Sequence, residues 1–435
     1  MNISLKVTIS ITMLAMTNFS HASTESYLTQ IKSLQYKSQE VSPEMKNVRA
    51  FNSQKKAESY SRVTNFLPKA NLVVRKEKDF FDEKNAQLRA LGVYPRDSIW
   101  GVDYSWTLYN YQAIQFARKS FTEEDKADLD ITMKEKQFPI TFNTYVLNHL
   151  LAKYKNAAVE NSLKKATTGK REAELGFQIG QKTKLDVLRS EANLVSLESK
   201  KTSYLDEEQI TKSRLIEFSG LENDELKFLE NLTEEEILSL LSSLSQSTST
   251  KLNPNFDASP ELKSLAYQEK INRLDLANIM ADQYPDLKIV GSYTNSGDDF
   301  SQSLHSPTRT HSLALVLTIP IFSGGSLVSS SFEKYFAGKQ IEYTIAQRKL
   351  ELENNLTNTQ TKINVLDKQV NSLTLNVSQY EELYRMTLKS YQLGKSTLLE
   401  LLEVQDNLLD SKINLAQQKI QFYTLSQNYL WQAGL

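Results

Sequence analysis

The residues able to do chemistry are few. The 435-residue chain holds no cysteine and four histidines, His21, His149, His305 and His311. Without thiols it has no disulfide framework, thiolate metal site or cysteine nucleophile, and the histidines show no metal-ligand spacing. No metalloprotease, nucleophile-elbow, phosphate-loop or dinucleotide signature occurs, so neither an enzyme nor a metal or cofactor is expected. Fifty-one basic and 52 acidic residues leave a net charge of −1, which is no footprint for nucleic acid. What remains is one pattern used twice. Gly180 is followed by Thr183 and Asp186, and Gly394 by Thr397 and Glu400, with Glu403 three residues further on. A glycine supplies the positive φ that ends a helix, and a threonine caps the next one. A carboxylate three residues later can complete a reciprocal capping box.

Long helices must position these turns. All nine prolines fall outside residues 140–253 and 321–435, and proline costs about 3 kcal/mol inside a helix. In the second stretch Leu352, Leu356, Ile363, Leu366, Val370, Leu373, Val377, Tyr380 and Tyr384 form a heptad seam, with Thr359 in its one polar slot. Leu401, Leu408, Leu415, Phe422 and Tyr429 repeat every seven residues. Residues 326–391 would make one helix of ~99 Å, and 397–429 a return of ~50 Å. Shorter helices in 26–62 and 260–284 are expected to cover the remaining length. Pro139 is expected to kink the first long helix.

Two segments switch to period 2. His311–Phe322 alternates Leu313, Leu315, Leu317, Ile319 and Ile321 with smaller or polar residues, and Trp100–Leu108 alternates Trp100, Val102, Tyr104, Trp106 and Leu108. Their length suits tilted barrel strands, and Trp100, Tyr104, Trp106, Tyr109 and Tyr111 would suit an interfacial girdle. Leu72–Lys78 and Leu287–Thr294 are weaker strand candidates, preceded by Pro68 and Pro285. A mean hydropathy of −0.44 excludes a helical membrane bundle but not such strands. Residues 1–22 read as a secretory leader, with Lys6, an apolar run from Val7 and Ser20-His21-Ala22 before the cut. The next residue is Ser23, so no lipidation is expected.

The chain repeats itself once. Phe177-Gln178-Ile179-Gly180 through Leu188 aligns with Tyr391-Gln392-Leu393-Gly394 through Leu402, and Pro68 with Pro285. The offset of roughly 215 residues marks a duplication. It divides the chain into a leader (1–22), a first repeat (23–220), a linker (221–259) and a second repeat (260–435). Each repeat orders helix, two strands, and a long helical hairpin. Four strands per chain are too few to close a barrel, so several chains must pool them. Three copies would give twelve.

These residues resemble the TolC family of outer-membrane efflux and secretion channels. The resemblance rests on Tyr284-Pro285-Asp286-Leu287, on the strand-to-helix break Pro320-Ile321-Phe322-Ser323-Gly324-Gly325, on the tips at Gly180 and Gly394, and on the duplication. It implies a mainly α protein with β. Three chains would share a twelve-stranded outer-membrane barrel, continued by an α-helical coiled-coil tunnel in the periplasm. It implies a homotrimer in outer-membrane lipid, docked through the tips Gly180, Thr183, Gly394 and Thr397 to a periplasmic adaptor and an inner-membrane transporter. It places a pore constriction at Asp186, Glu400 and Glu403, with Tyr391 bonding Asp186. A ring of acidic side chains on a threefold axis would draw cations. The family's basic lock residue falls on Ser396, a departure for which Lys395, Lys182 or Lys184 could substitute. The alternative is a secreted coiled-coil structural protein without a pore, which has no use for alternating strands or twin tips.

Overall fold

A computed structural model describes residues 27–76, 98–246, 259–297, 300–305, 309–322 and 324–434. The leader expected over 1–22 lies outside them. The described helices are α1 over 27–41, α2 Pro43–Val63, α3 Tyr111–Gln178, α4 Lys184–Ser219, α5 Glu234–Gln246, α6 Pro260–Ala281, α7 Phe300–His305, α8 Ser326–Gln392 and α9 Leu398–Gln432. The strands are β1 Lys69–Lys76, β2 Ser98–Asn110, β3 Asp286–Gly297 and β4 Arg309–Thr318. None of these helices is long and apolar enough to cross a membrane.

Two compact units divide the chain, and neither coincides with a sequence repeat. One takes Met1–Arg49, Ile131–Lys263 and Arg348–Leu435; the other takes Ala50–Asp130 and Ser264–Gln347.

The first unit holds the helical hairpins α3–α4 and α8–α9 from Ile131 and Arg348 onward. The heptad seam of α8 is visible in its burial. Every seam residue from Leu352 to Tyr384, Thr359 included, is buried or half-buried, while most residues between them are exposed. The main core lies where α3, α4 and α9 meet the helices before and after them. It gathers Phe142, Leu147, Leu150 and Tyr154 of α3, Leu215 of α4 and Ile420 of α9. Phe218 stacks on Phe138 at 5.0 Å and on Tyr145 at 4.7 Å.

The expected linker is part of this core. Leu221, Leu226, Leu229, Leu232, Ile237, Leu240 and Leu241 are all buried. Gly220, at φ 66°, ends α4 and turns the chain into this segment, and Thr233 with Glu236 caps α5. Only residues 247–258 of the linker fall outside the described residues. The glutamates in the first turn of α5 and the serines within it hid a helical period whose Ile237, Leu240 and Leu241 are buried.

Pro139 stays inside α3. It has no N–H to give Glu135, four residues back. The Gln39 amide Nε2 donates to that carbonyl oxygen at 3.3 Å instead, so a side chain replaces the missing backbone bond.

The second unit holds the antiparallel sheet β1-β2-β3-β4. Its register makes one face apolar across all four strands. Leu72, Val102, Tyr293 and His311 share a row, as do Trp106, Ile289 and Leu315, and Tyr109, Leu287 and Leu317. The opposite face carries Asn71, Asp103, Ser105, Thr107, Lys288, Ser292 and Ser312. A bulge after Thr107 makes Leu108 the extra residue and puts Tyr109 opposite Leu287, so Tyr109 takes the place expected for Leu108. β4 ends at Thr318 rather than Phe322, because Pro320 cannot donate to a ladder. Tyr104 reaches across β3 to bring its hydroxyl 2.7 Å from His311 Nε2. A Cβ on Gly291 would overlap the Tyr104 ring, so only glycine lets this side chain lie flat over the sheet.

His149 gives the first unit a pH dependence. It is 2% exposed in the α3–α4 interface, 3.4 Å from Thr211 Oγ1. Burial, with Lys153 and Lys212 adding to it and Glu230 opposing, pushes it down to about 4. The unfolded chain accepts a proton near pH 6.5 that the folded chain refuses. This contribution is therefore fully present above that pH and lost as pH falls toward 4, on the order of 3 kcal/mol. Denaturant unfolding at pH 7 and 4.5 should show wild type losing that much more stability on acidification than His149→Asn. Gly291→Val should displace Tyr104 from over the sheet and lower the midpoint of thermal unfolding.

Candidate functional site: the paired hairpin tips

The tips are built alike. Gly180 and Gly394 have φ 75° and 73°. Gln181 N donates to Gly176 O at 2.8 Å, and Lys395 N to Ser390 O at 2.8 Å, the same closing bond in each turn. Thr183 and Thr397 then adopt extended backbone and cap α4 and α9. Both capping boxes form. Asp186 N donates to Thr183 Oγ1 at 3.2 Å and Thr183 N to Asp186 Oδ2 at 3.0 Å. Glu400 N donates to Thr397 Oγ1 at 3.3 Å and Thr397 N to Glu400 Oε2 at 3.2 Å.

The carboxylates named from the sequence are therefore committed first to their own helices. Partial burial pushes the Asp186 carboxyl up. The bonds from Thr183 and the charges of Lys182 and Arg189 outweigh it and hold the group below the usual range. Glu400 and Glu403 are exposed. Tyr391 does not bond Asp186, whose Oδ2 is occupied by the Thr183 hydroxyl at 2.8 Å as well as by the amide. Its ring instead lies under Lys182, with Nζ 3.9 Å from the centroid.

Lys182 gets there by folding back over its own hairpin. A Cβ on Gly176 would run into the Lys182 stem, so Gly176 leaves the channel through which the side chain passes. The ammonium of one tip is thus held on the aromatic face of the other hairpin. A second contact of this kind joins Lys165 of α3 to the Tyr384 ring at 4.9 Å. Lys182 was one of three candidate substitutes at the sequence level, and its spacing alone could not single it out. Ser396 is half-buried and Lys395 exposed.

Between the hairpins lies a groove of about 360 Å³, lined by Thr168, Glu172, Ser190, Tyr384, Tyr391 and Gln405 among others. Gln405 Nε2 is buried without a partner. Sequence reading missed this groove because its walls come from four helices. Outside the turns, each tip shows apolar residues at matching positions. Ile179 and Leu393 precede the glycines, Leu185 and Leu399 follow the threonines, and all four are exposed.

The strand-to-helix break named from Pro320, Phe322, Gly324 and Gly325 is also present. Gly324 and Gly325 have φ 67° and 80°, Phe322 is 87% exposed, and α8 begins at Ser326. Ser323 lies outside the described residues. The first repeat solves the same junction without glycines. Asn110 Oδ1 accepts from Ala113 N at 2.6 Å and caps α3 directly, while Asn110 Nδ2 donates to Asp286 at 3.2 Å.

Residues 257–429 match the outer membrane efflux protein family. Over 176 residues the chain is 22% identical to the alkaline protease secretion protein AprF of Pseudomonas aeruginosa; the match covers 40% of this chain and 37% of that relative's length. The fold is similar to the CmeC outer membrane channel of Campylobacter jejuni, with TM-score 0.75 and 13% identity over 93% of this chain and 85% of that one. It is also similar to the open state of the MtrE outer membrane channel of Neisseria gonorrhoeae, with TM-score 0.65 and 15% identity over 93% and 89%. Residues 257–429 thus match the outer membrane efflux protein family in sequence, and 93% of the chain shares the fold of solved outer-membrane channels.

Proposed function

We propose that the protein is a homotrimeric outer-membrane channel, fed by an inner-membrane transporter through a periplasmic adaptor, in efflux or type I secretion. The carrying observation is the sheet: one face apolar in every strand, the other mixing polar residues with Val73, Val290 and Val316, and both edges open among the described residues. Leu72, Leu313 and Leu315 are 70%, 66% and 65% exposed. Such a face needs lipid, and such edges need partners. Three chains of four strands give twelve. Two would give eight, a number whose interior side chains fill. A secreted coiled coil without a pore leaves this face and these edges without a use.

The tips form the periplasmic end. Their matched apolar residues offer an adaptor two similar footholds per chain. Three copies of Glu400 and Glu403 converge at the constriction and favour cations. Glu403 carries that charge without a capping duty, whereas Glu400 does both. Lys182 on Tyr391 takes the role left empty at Ser396 and holds the two hairpins together while the channel is closed.

The full chain extracted from outer membranes in mild detergent should have a mass close to three copies; a soluble monomer or dimer would sink the pore. In planar bilayers, Glu403→Ala should lower cation-over-anion permeability at unchanged stability. Glu400→Ala should do the same and also cost about 1 kcal/mol through its cap. Lys182→Ala and Tyr391→Leu should each raise resting conductance, and the double variant should go no further than either, as expected of partners in one contact.

A further inference from the structure

Within the second unit, both ends of the sheet can be told apart by their connections. β2 runs into α3, β3 follows α6, and β4 leads toward α8, all at one end. The β1–β2 and β3–β4 connections lie at the other. On the apolar face the charged strand residues are Lys76 and Arg309, both basic, both exposed, and both in the last rows before those connections. No described strand residue of this face is acidic. His311 sits one row below Arg309, anchored by Tyr104 at 2.7 Å. Trp100 and Tyr293 lie beside it, edge to face at 6.5 Å. The helix end of the same face ends on Tyr109, Leu287 and Leu317 with no charge.

The spacing fits a bilayer. From Leu287 to Asn295, the partner of Arg309, eight residues rise about 27 Å along the strand, or about 21 Å when tilted by about 40°. That is close to the apolar band of roughly 25 Å that outer-membrane barrels present. Lys76 and Arg309 therefore stand at the edge of the hydrocarbon, on the side away from the helices. With helices in the periplasm, that side is the cell surface.

Resting on the channel reading, we infer that Lys76 and Arg309 recognise the phosphate groups of lipid A in the outer leaflet. The occupant follows from charge complementarity. A leaflet rich in phosphomonoesters meets a face whose described charged strand residues are both cationic, while the neutral aromatic rim faces the phospholipid leaflet. Arginine matches phosphate with a planar fork of donors. β1 and β4 are the two edge strands, so closing a barrel brings Arg309 of one copy and Lys76 of the next to the same seam.

The test uses the full chain purified from outer membranes, stripped of lipid in detergent and offered diphosphoryl lipid A, with bound lipid counted by native mass spectrometry. Wild type should retain it, and Lys76→Gln/Arg309→Gln should retain at least fivefold less. Arg309→Lys should keep most of the binding, which guards against a loss caused by misfolding. Dephosphorylated lipid A should bind both forms equally weakly. Equal retention by wild type and the double variant, or displacement by an equal amount of phosphatidylglycerol, would overturn the inference. Single-channel conductance is recorded on the same preparations. Conducting protein without phosphate preference overturns this inference alone, whereas wild type that never conducts overturns the channel reading beneath it.

Discussion

A four-stranded sheet with an apolar face cannot satisfy itself. Its two edge strands hold unpaired backbone groups among the described residues, and α7 packs only over the Trp100 end of its face, where Trp100 Nε1 donates to the Ser303 carbonyl at 2.9 Å. Each open ladder position that stays dry costs free energy comparable to a lost hydrogen bond, and the leucines of β4 are exposed on the isolated chain. The demand for edge partners and for an apolar solvent follows from this constraint. So does the use of polar or small residues on the opposite face, which would line a lumen. Gly291 is part of the same solution, since it lets an aromatic ring lie flat and bond across two strands rather than stand up from the surface.

The helical unit answers a different demand. Long hairpins with heptad seams bury only a stripe, and the broad apolar core is assembled where additional segments wrap them. The segment after Gly220 supplies seven buried aliphatic side chains and ties back through specific polar contacts. Tyr27 donates to Glu236 at 2.9 Å, and Lys153 donates to the Leu229 carbonyl at 2.8 Å. His149, buried beneath this layer, makes the packing dependent on a neutral imidazole. At the tips, by contrast, little is buried, and the turns rely on glycine conformation, capping boxes and one cation on a ring.

Much of this was legible in the residues. The long helix expected over 326–391 is observed as Ser326–Gln392, and α2 and α6 occupy the segments expected to hold shorter helices. Both capping boxes formed as their spacing predicts. These features are local. A heptad, a Gly–Thr–acid turn or a period-2 run carries its own signal in consecutive residues. The misread features are those that depend on distant partners. Residues 221–259 read as a linker, yet the leucines of its described part pack against α1, α3 and α9. At Pro139 the helix continues, and the donor that the Glu135 carbonyl lacks comes from Gln39 of another helix, which no local spacing records. The bulge that exchanges Leu108 for Tyr109 is set by pairing with β3.

The sequence by itself therefore determined the element types, the duplicated turns and the amphipathic faces, because period and capping chemistry act within a few residues. Only the tertiary structure decided which carboxylates are spent on caps, that Lys182 rather than Lys395 or Lys184 reaches Tyr391, and that the described strand cations of the apolar face, Lys76 and Arg309, lie at one end. Each of those depends on register or on a path through space, such as the gap above Gly176. Residues far apart in the chain set such positions, and no spacing along it records them.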